Sequence, residues 1–175
     1  AGILDSSRFI YFLSQELKVP VNKIKSFVLG GHGDSMVAML GHTEIEGKKI
    51  NDLIKERKIS KEKLDEIVDR TKKGGAEIVK YLEKGSAFYA PAASGVEMAE
   101  CYLKDLKKQL PCAVHLNGEY GAQDIYAGVP VIIGSDGVEK VIELDLSAEE
   151  KDNFDKSVKA VKDLFSVAKK IDPQL

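Results

Sequence analysis

The chain has 175 residues, of which 43% are hydrophobic and 31% are charged, and its formal net charge is −2 at pH 7. This composition is typical of a soluble globular protein, and we expect residues 1–175 to form a single domain. The balanced charge gives no reason to expect nucleic acid as a partner, and no apolar run approaches the roughly 20 residues that span a membrane. The two cysteines, Cys101 and Cys112, lack CxxC spacing and fit buried thiols in a reducing compartment, so we expect a cytoplasmic protein.

The first third of the chain predicts one helix and several short strands. Apolar residues at helical spacing predict an amphipathic helix over about 5–17, closed by Pro20. The apolar run 26–29, stopped by two glycines, predicts a strand that leads into a loop. An extended stretch is predicted over 36–45, with a turn after it at Glu46-Gly47.

Two helices are predicted in the middle of the chain. From Ser60 onward, apolar or small residues fall on one helical face, namely Leu64, Ile67, Val68, Thr71, Ile78, Val79 and Leu82. Gly74 and Gly75 interrupt this face, and two adjacent glycines cost a helix about 1–2 kcal/mol. Either the helix bends there or another group packs closely against it. After a break over 85–93, the pattern resumes as a second helix over 96–106.

The final third predicts three strands and a long helix. The strands are expected over 111–116, 125–133 and 138–146, with a hairpin signal at Ser135-Asp136-Gly137. Ser147 and Glu150 form a capping-box pattern, and the helix that follows has a predicted buried stripe of Phe154, Val158, Val161, Phe165 and Ala168. Together the elements predict an α+β fold with antiparallel strands and helices on one side.

No segment has the signature of a nucleotide-binding fold. The sequence contains neither a strand that runs into Gly-x-Gly-x-x-Gly and then a helix, nor a Walker sequence. The glycine-rich stretch 30–33 is followed by polar residues and an extended pattern, so it is not a phosphate loop. We expect no cofactor-binding residues in this chain. We also expect no metal site, because His32, Asp34 and His42 lack a recognised ligand spacing.

Two short clusters carry residues suited to chemistry. Asp5 and Arg8 lie three residues apart on one helical face, where they could form a surface ion pair, or Arg8 could hold an acidic substrate bidentately. His32 is flanked by glycines, so other groups can approach it closely. Histidine suits proton transfer because its ordinary pKa lies near neutrality, but a structural role is the alternative. His42 and His115 lie in predicted extended segments and are expected to be packing or surface residues.

The two clusters together, 4–9 and 30–35, resemble the active-site signature of the malate/lactate dehydrogenase family. Other stretches are similar to that family's helix break beside the substrate, 85–94, and to its following sheet, 110–113, 118–121 and 128–130. The resemblance covers residues 1–175. It implies the C-terminal, substrate-binding domain of that family, in which antiparallel β-sheets pack with long helices. It also implies that no Rossmann domain lies in this chain and that the N-terminal NAD-binding domain is absent.

The resemblance implies a role for three residues. His32 matches the residue that accepts the hydroxyl proton of a 2-hydroxy acid and returns it in the reverse direction. Asp5 matches the carboxylate that hydrogen-bonds the far ring nitrogen, fixes the tautomer and stabilises the imidazolium. Arg8 matches the clamp on the C1 carboxylate of the substrate. Asp5 and Arg8 would then point into a cleft with different partners and would not primarily form a pair.

The resemblance also favours malate and oxaloacetate over lactate. Gly31 stands where lactate enzymes usually have an acid, and Ala87 stands where they usually have a threonine. Pro91 replaces a bulkier aliphatic residue, so Ala87 and Pro91 are expected to contact the substrate and leave room for its second carboxylate. Lactate or another 2-hydroxy acid is the alternative substrate.

The cofactor implied by the resemblance is NAD, bound mainly by the N-terminal domain, which also supplies the specificity loop. We therefore expect this chain to be inactive without that domain. Its expected partners are malate or oxaloacetate, the N-terminal domain and further copies in a homo-oligomer. The alternative from another class is a non-enzymatic interaction module on the same scaffold.

Overall fold

The computed structural model describes residues 2–173, which contain five α-helices and eight strands. The helices are α1 (Gly2–Leu17), α2 (Ile50–Lys55), α3 (Lys61–Leu82), α4 (Tyr89–Leu103) and α5 (Ala148–Ile171). The strands are β1 (Ile24–Lys25), β2 (Val28–Gly30), β3 (Met36–Ala38), β4 (Glu44–Ile45), β5 (Lys48–Lys49), β6 (Lys108–Asn117), β7 (Gln123–Gly134) and β8 (Gly137–Val141). None of the helices within residues 2–173 has the length and apolar content needed to cross a bilayer.

The strands form two antiparallel sheets. The larger sheet has the order β3-β2-β7-β6, with β8 also paired to β7, and the smaller sheet has the order β1-β4-β5. The end of β2 meets the centre of β7, where Gly30 pairs with Gly128. A Cβ atom on Gly128 would lie 2.7 Å from the carbonyl oxygen of Gly30, so the two backbones approach closely at this point. The larger sheet therefore fixes the start of the loop that carries His32.

Two clusters of buried apolar side chains join the sheets to the helices. One lies around β6, β7 and the first half of α5, and it includes Val129 and Phe154. The other lies between α1, α2, α3 and the short strands, and it includes Phe9 and Leu13. Helix α1 contributes Ile3 to the first cluster as well, so it is held by packing along much of its length. Packing on this scale stabilises the helix well beyond its intrinsic propensity.

The predicted fold class is confirmed, and so are several local signals. All strand pairs in residues 2–173 are antiparallel. The turn at Glu46-Gly47 joins β4 to β5, and both of its residues have positive φ. The hairpin signal at 135–137 is confirmed, since Ser135 and Asp136 form the turn between the paired residues Gly134 and Gly137. Ser147 and Glu150 form the complete capping box at the start of α5.

The predicted helix boundaries were partly wrong. Helix α1 begins at Gly2, before the predicted start near residue 5. Helix α4 spans Tyr89–Leu103 instead of 96–106, because Pro91 lies in its first turn, where a missing amide does not break the helix. The predicted stripe of α5 is buried at Phe154 and Val158, but Phe165 near the other end is 44% exposed.

Two predicted strands were also too long. The stretch 36–45 is interrupted by a 3-10 turn at Leu40–His42. Residues 142–146 do not continue β8 as a paired strand. There the Tyr120 hydroxyl donates to the carbonyl of Ile142 at 2.7 Å and accepts from the amide of Leu144 at 2.9 Å. Two backbone groups of this segment are thus bonded to a side chain, which alternation of polar and apolar residues cannot reveal.

Candidate active site

The centre of the site is a hydrogen bond between His32 and Asp5. His32 lies in the loop between β2 and β3, and Asp5 lies in α1. The Nδ1 atom of His32 is 2.7 Å from Oδ2 of Asp5. The carboxylate is buried, with 1% of the Asp5 side chain exposed, whereas 55% of the His32 side chain is exposed. The pair therefore joins a buried anion to a ring that other molecules can reach.

This geometry fixes the role of each ring nitrogen. An ionised carboxylate can only accept hydrogen bonds, so with Asp5 ionised the Nδ1 atom of His32 carries the proton and donates it. Among residues 2–173, the Nε2 atom of His32 has no hydrogen-bond partner. In the neutral ring Nε2 is then the acceptor, ready to take a proton from a bound molecule.

The second oxygen of Asp5 and the guanidinium of Arg8 are both left incompletely paired. Oδ1 of Asp5 is buried without a hydrogen-bond partner in the described part of the chain. Nη1 of Arg8 lies 3.6 Å away, which is close enough for attraction but too long for a hydrogen bond. Arg8 is 12% exposed and keeps its planar fork of donors available. Unpaired polar groups at one place are typical of a binding site, because buried polar groups are otherwise satisfied.

The side chain of Arg8 packs against helix α3. The helix runs without a break through Gly74 and Gly75. A Cβ atom on Gly74 would lie 3.0 Å from Cδ and 3.4 Å from Nε of Arg8, whereas one on Gly75 would lie 3.9 Å from Nη1. Of the two explanations for this glycine pair, the close approach of another group is therefore confirmed. The packed group is the candidate substrate clamp itself.

A residue that the sequence analysis did not single out also contacts the His32 loop. Ser157 of α5 is 3% exposed, accepts a hydrogen bond from the Gly31 amide at 2.8 Å, and donates to the carbonyl of Ser35. The available signal was the position of Ser157 between Phe154 and Val158, on the buried stripe of α5. A hydroxyl on such a stripe requires a hydrogen-bond partner, and here the partner is the loop.

The remaining predicted residues lie farther along the chain. Ala87 is half-buried in the segment between α3 and α4, and Pro91 is exposed in the first turn of α4. Helix α4 packs against α1, the helix that carries Asp5 and Arg8. The other two histidines have local partners: Nε2 of His42 is 2.8 Å from the carbonyl of Asp145, and Nε2 of His115 is 3.0 Å from Oδ1 of Asp124.

The described residues also bear on metal and dinucleotide binding. In residues 2–173, no group of three or more His, Cys, Asp or Glu side chains is arranged to hold a metal ion. The strand pairs in this range are antiparallel, whereas a dinucleotide-binding fold is built on parallel strands joined by helices. Both cysteines are buried free thiols, and burial raises the pKa of Cys112 to about 11.

Comparison with known proteins identifies this architecture. Residues 3–171 match the family described as lactate/malate dehydrogenase, alpha/beta C-terminal domain. The malate dehydrogenase of Pelagibacter ubique (strain HTCC1062) is 66% identical over 175 residues, which make up 100% of this chain and 55% of that protein.

Two solved structures illustrate the similarity of fold. The malate dehydrogenase of Cryptosporidium parvum has a TM-score of 0.93 at 43% identity, over 97% of this chain and 54% of its own. The lactate dehydrogenase of Eimeria maxima, solved with NADH and oxamate, has a TM-score of 0.94 at 39% identity, over 99% of this chain and 54% of its own. This chain thus spans about half the length of the relatives that it matches. The chain belongs to the lactate/malate dehydrogenase family, as its C-terminal α/β domain.

Proposed function

We propose that this chain is the substrate-binding half of an NAD-dependent malate dehydrogenase, which oxidises malate reversibly to oxaloacetate. The observation that carries the proposal is the buried Asp5 carboxylate, which is 2.7 Å from His32 and 3.6 Å from Arg8. One anion thus lies beside both a proton acceptor and a cationic clamp. These are the two protein groups that oxidation of a 2-hydroxy acid requires.

In the proposed mechanism, Arg8 binds the C1 carboxylate of malate through two parallel hydrogen bonds. Since Nη1 lies 3.6 Å from Asp5, the guanidinium does not have to break a short hydrogen bond before it binds the substrate. The substrate hydroxyl donates to Nε2 of His32, which takes the proton as C2 is oxidised. Asp5 then stabilises the imidazolium through the hydrogen bond at Nδ1. In the reverse direction, His32 returns the proton to the carbonyl oxygen of oxaloacetate.

The chemistry that NAD supplies when bound is acceptance of a hydride from C2. The described residues fit this chemistry only as one wall of a site, because they provide an exposed His32 ring but no dinucleotide fold. We therefore propose that an N-terminal domain holds the cofactor, and that this chain alone has no appreciable dehydrogenase activity. The two buried free thiols agree with a reducing compartment such as the cytoplasm.

Malate is preferred over lactate on two grounds. The relative at 66% identity is named a malate dehydrogenase, although lactate dehydrogenases are also among the structural neighbours. In the loop itself, a Cβ on Gly31 would lie 2.2 Å from Oγ of Ser35. An acidic side chain at this position, which the resemblance associates with lactate enzymes, would require at least the Ser35 hydroxyl to move. Ala87 and Pro91 are proposed as small walls of the pocket on the side of the second carboxylate.

Complementation tests the proposal directly. The chain would be mixed with its separately expressed N-terminal domain, and NADH oxidation would be measured with oxaloacetate and then with pyruvate. We expect activity with oxaloacetate that is lost in His32→Ala. The matched control is His115→Ala, which removes another half-exposed histidine hydrogen-bonded to an aspartate, at 3.0 Å, and should leave activity unchanged.

Each other outcome has a definite meaning. Activity with pyruvate alone would replace malate by lactate. Full activity in His32→Ala would refute the assignment of the proton acceptor. Stable association of the two halves without activity on either substrate would favour a non-enzymatic interaction module.

A further inference from the structure

The loop that carries His32 has few hydrogen bonds to the rest of the molecule, although its residues 33–35 also pack against α3 and α5. Pairing of β2 with β3 ends at Gly30 and Met36, so residues 31–35 lie beyond the sheet. Within the loop, the Ser35 hydroxyl donates to the carbonyl of His32 at 3.3 Å, which is a long hydrogen bond. Apart from the bond to Asp5, the hydrogen bonds that tie this loop to another element in residues 2–173 come from Ser157.

Ser157 joins the two sides of the loop through one hydroxyl group. Its oxygen accepts from the Gly31 amide at 2.8 Å, and its proton is donated to the carbonyl of Ser35. Gly31 and Ser35 lie on opposite sides of His32 in the chain. A single side chain therefore sets the separation of the two backbone segments between which the histidine is held.

The approach of Ser157 is possible because the loop begins with glycine. Gly30 has a φ of +83°, and a Cβ atom there would lie 2.3 Å from Oγ of Ser157. Any larger residue at this position would displace either the loop or α5. The glycines before His32 thus admit the buried hydroxyl that holds the loop, in addition to leaving the histidine accessible.

We propose that Ser157 is a positioning residue for the reaction, which holds His32 in register with Asp5. The proposal rests on the proposed function, since it assigns to Ser157 an effect on proton transfer by His32. Ser157 lies on α5, and its bonding partners on the loop are more than a hundred residues away in sequence. The position of His32 relative to Asp5 thereby depends on α5, although the role assigned to Ser157 of that helix involves no contact with the reacting atoms.

The consequence of removing the hydroxyl follows from the contacts. In Ser157→Ala the Gly31 amide and the Ser35 carbonyl both lose their partner, so the loop relaxes towards water and His32 departs from its place beside Asp5. A displacement of about 1 Å at a catalytic group can cost on the order of 100-fold in rate. Arg8 is held by α1 and by α3, so substrate binding through its guanidinium should be largely retained. We expect kcat to fall by about 10- to 100-fold, with KM changed by less than about threefold.

The matched control is Ser166→Ala, which removes a hydroxyl from the same helix. Ser166 donates to the carbonyl of Lys162 within α5 and has no bond to the loop. Both variants would be made in the intact protein, with its nucleotide-binding domain, and kcat, KM and the melting temperature would be measured. Ser166→Ala should match the wild type in kcat. A kcat for Ser157→Ala equal to that of the control would overturn the proposal, whatever the melting temperature.

A spectroscopic readout separates positioning from general destabilisation. The His32 Nδ1 proton, hydrogen-bonded to Asp5, should give a downfield imidazole resonance in a histidine-labelled sample, identified by its loss in His32→Ala. We expect Ser157→Ala to broaden or shift this resonance and to leave those of His42 and His115 in place. An unchanged His32 resonance would overturn the proposal even if kcat fell.

One further measurement tests the proposal without a variant, and the proposal can be tested even if the protein is inactive. Hydrogen exchange of the Gly31 amide in the wild type needs no variant, and exchange as fast as in an unfolded peptide would also overturn the proposal. If the wild-type protein has no activity with oxaloacetate or pyruvate, the proposed function fails. In that case the resonance and the amide exchange still decide whether Ser157 positions His32.

Discussion

The contact between Gly74 and Arg8 leads to a prediction that separates the stability of the fold from substrate affinity. In Gly74→Ala, the new methyl group would lie 3.0 Å from Cδ of Arg8. Carbon atoms pack best at about 3.5–4.0 Å, so the arginine stem must shift by roughly 0.5 Å or more. The site in α3 is otherwise favourable, because alanine replaces glycine inside a helix with a gain of about 1 kcal/mol.

The shift should therefore affect binding and leave folding intact. We expect KM for oxaloacetate to rise by about 10-fold, which corresponds to about 1.4 kcal/mol, because a bidentate hydrogen-bond pair depends on the orientation of the guanidinium. The melting temperature should stay equal or increase. The assay is steady-state NADH oxidation by the intact protein, together with thermal denaturation followed by circular dichroism.

Gly75→Ala provides the control from the neighbouring position. It has the same gain in helix propensity, but its Cβ would lie 3.9 Å from Nη1 of Arg8, an ordinary contact distance. We expect KM for this variant to remain within about twofold of the wild type, less than 0.5 kcal/mol. Equal KM values for the two variants would refute the reasoning, because the effect could then not come from contact with Arg8.

Three further predictions concern stability and reactivity. Burial raises the pKa of Glu150, but hydrogen bonds from the backbone of Gly41 and from Ser147 outweigh it and leave the pKa below its usual value. The charged carboxylate thus stabilises the fold at neutral pH and loses this effect as the pH falls through the folded-state pKa. Glu150→Gln should lower the free energy of unfolding by about 1 kcal/mol at neutral pH. Denaturant titrations at several pH values should show this difference becoming smaller in acid. A difference that does not change with pH would contradict the prediction. Tyr120→Phe leaves two backbone groups after β8 without their partner and should cost about 1–3 kcal/mol in the same titration, whereas wild-type stability would show that water replaces the hydroxyl. Because burial raises the pKa of Cys112 to about 11, mass spectrometry should find this thiol unmodified by iodoacetamide in the native protein and modified after unfolding.

Several features of the fold were readable from local sequence patterns. The capping box at the start of α5 and the turn between β4 and β5 each depend on a few adjacent residues, so a short pattern contains the whole physical cause. Recognition of the family depended on the pairing of two motifs, 4–9 and 30–35, and the family comparison confirmed it. The functional roles of Asp5, Arg8 and His32 remain proposals, which the observed distances support.

Other features depended on contacts between residues that are distant in sequence. The glycine pair in α3 could indicate a bend or a close approach, and only the tertiary structure shows the close approach of Arg8 to Gly74. The strand predicted over 138–146 ends at Val141, and beyond it Tyr120, more than twenty residues earlier, bonds to the backbone of Ile142 and Leu144.

The contacts of Ser157 show most clearly that a local sequence pattern does not predict contacts between distant residues. Its hydroxyl reaches backbone groups 126 and 122 residues away, at Gly31 and Ser35. By itself the sequence determined which residue types are available for chemistry and which local elements carry them. The tertiary structure alone decided which backbone atoms meet which side chains, because hydrogen bonds and packing act over a few ångströms in space and not along the chain.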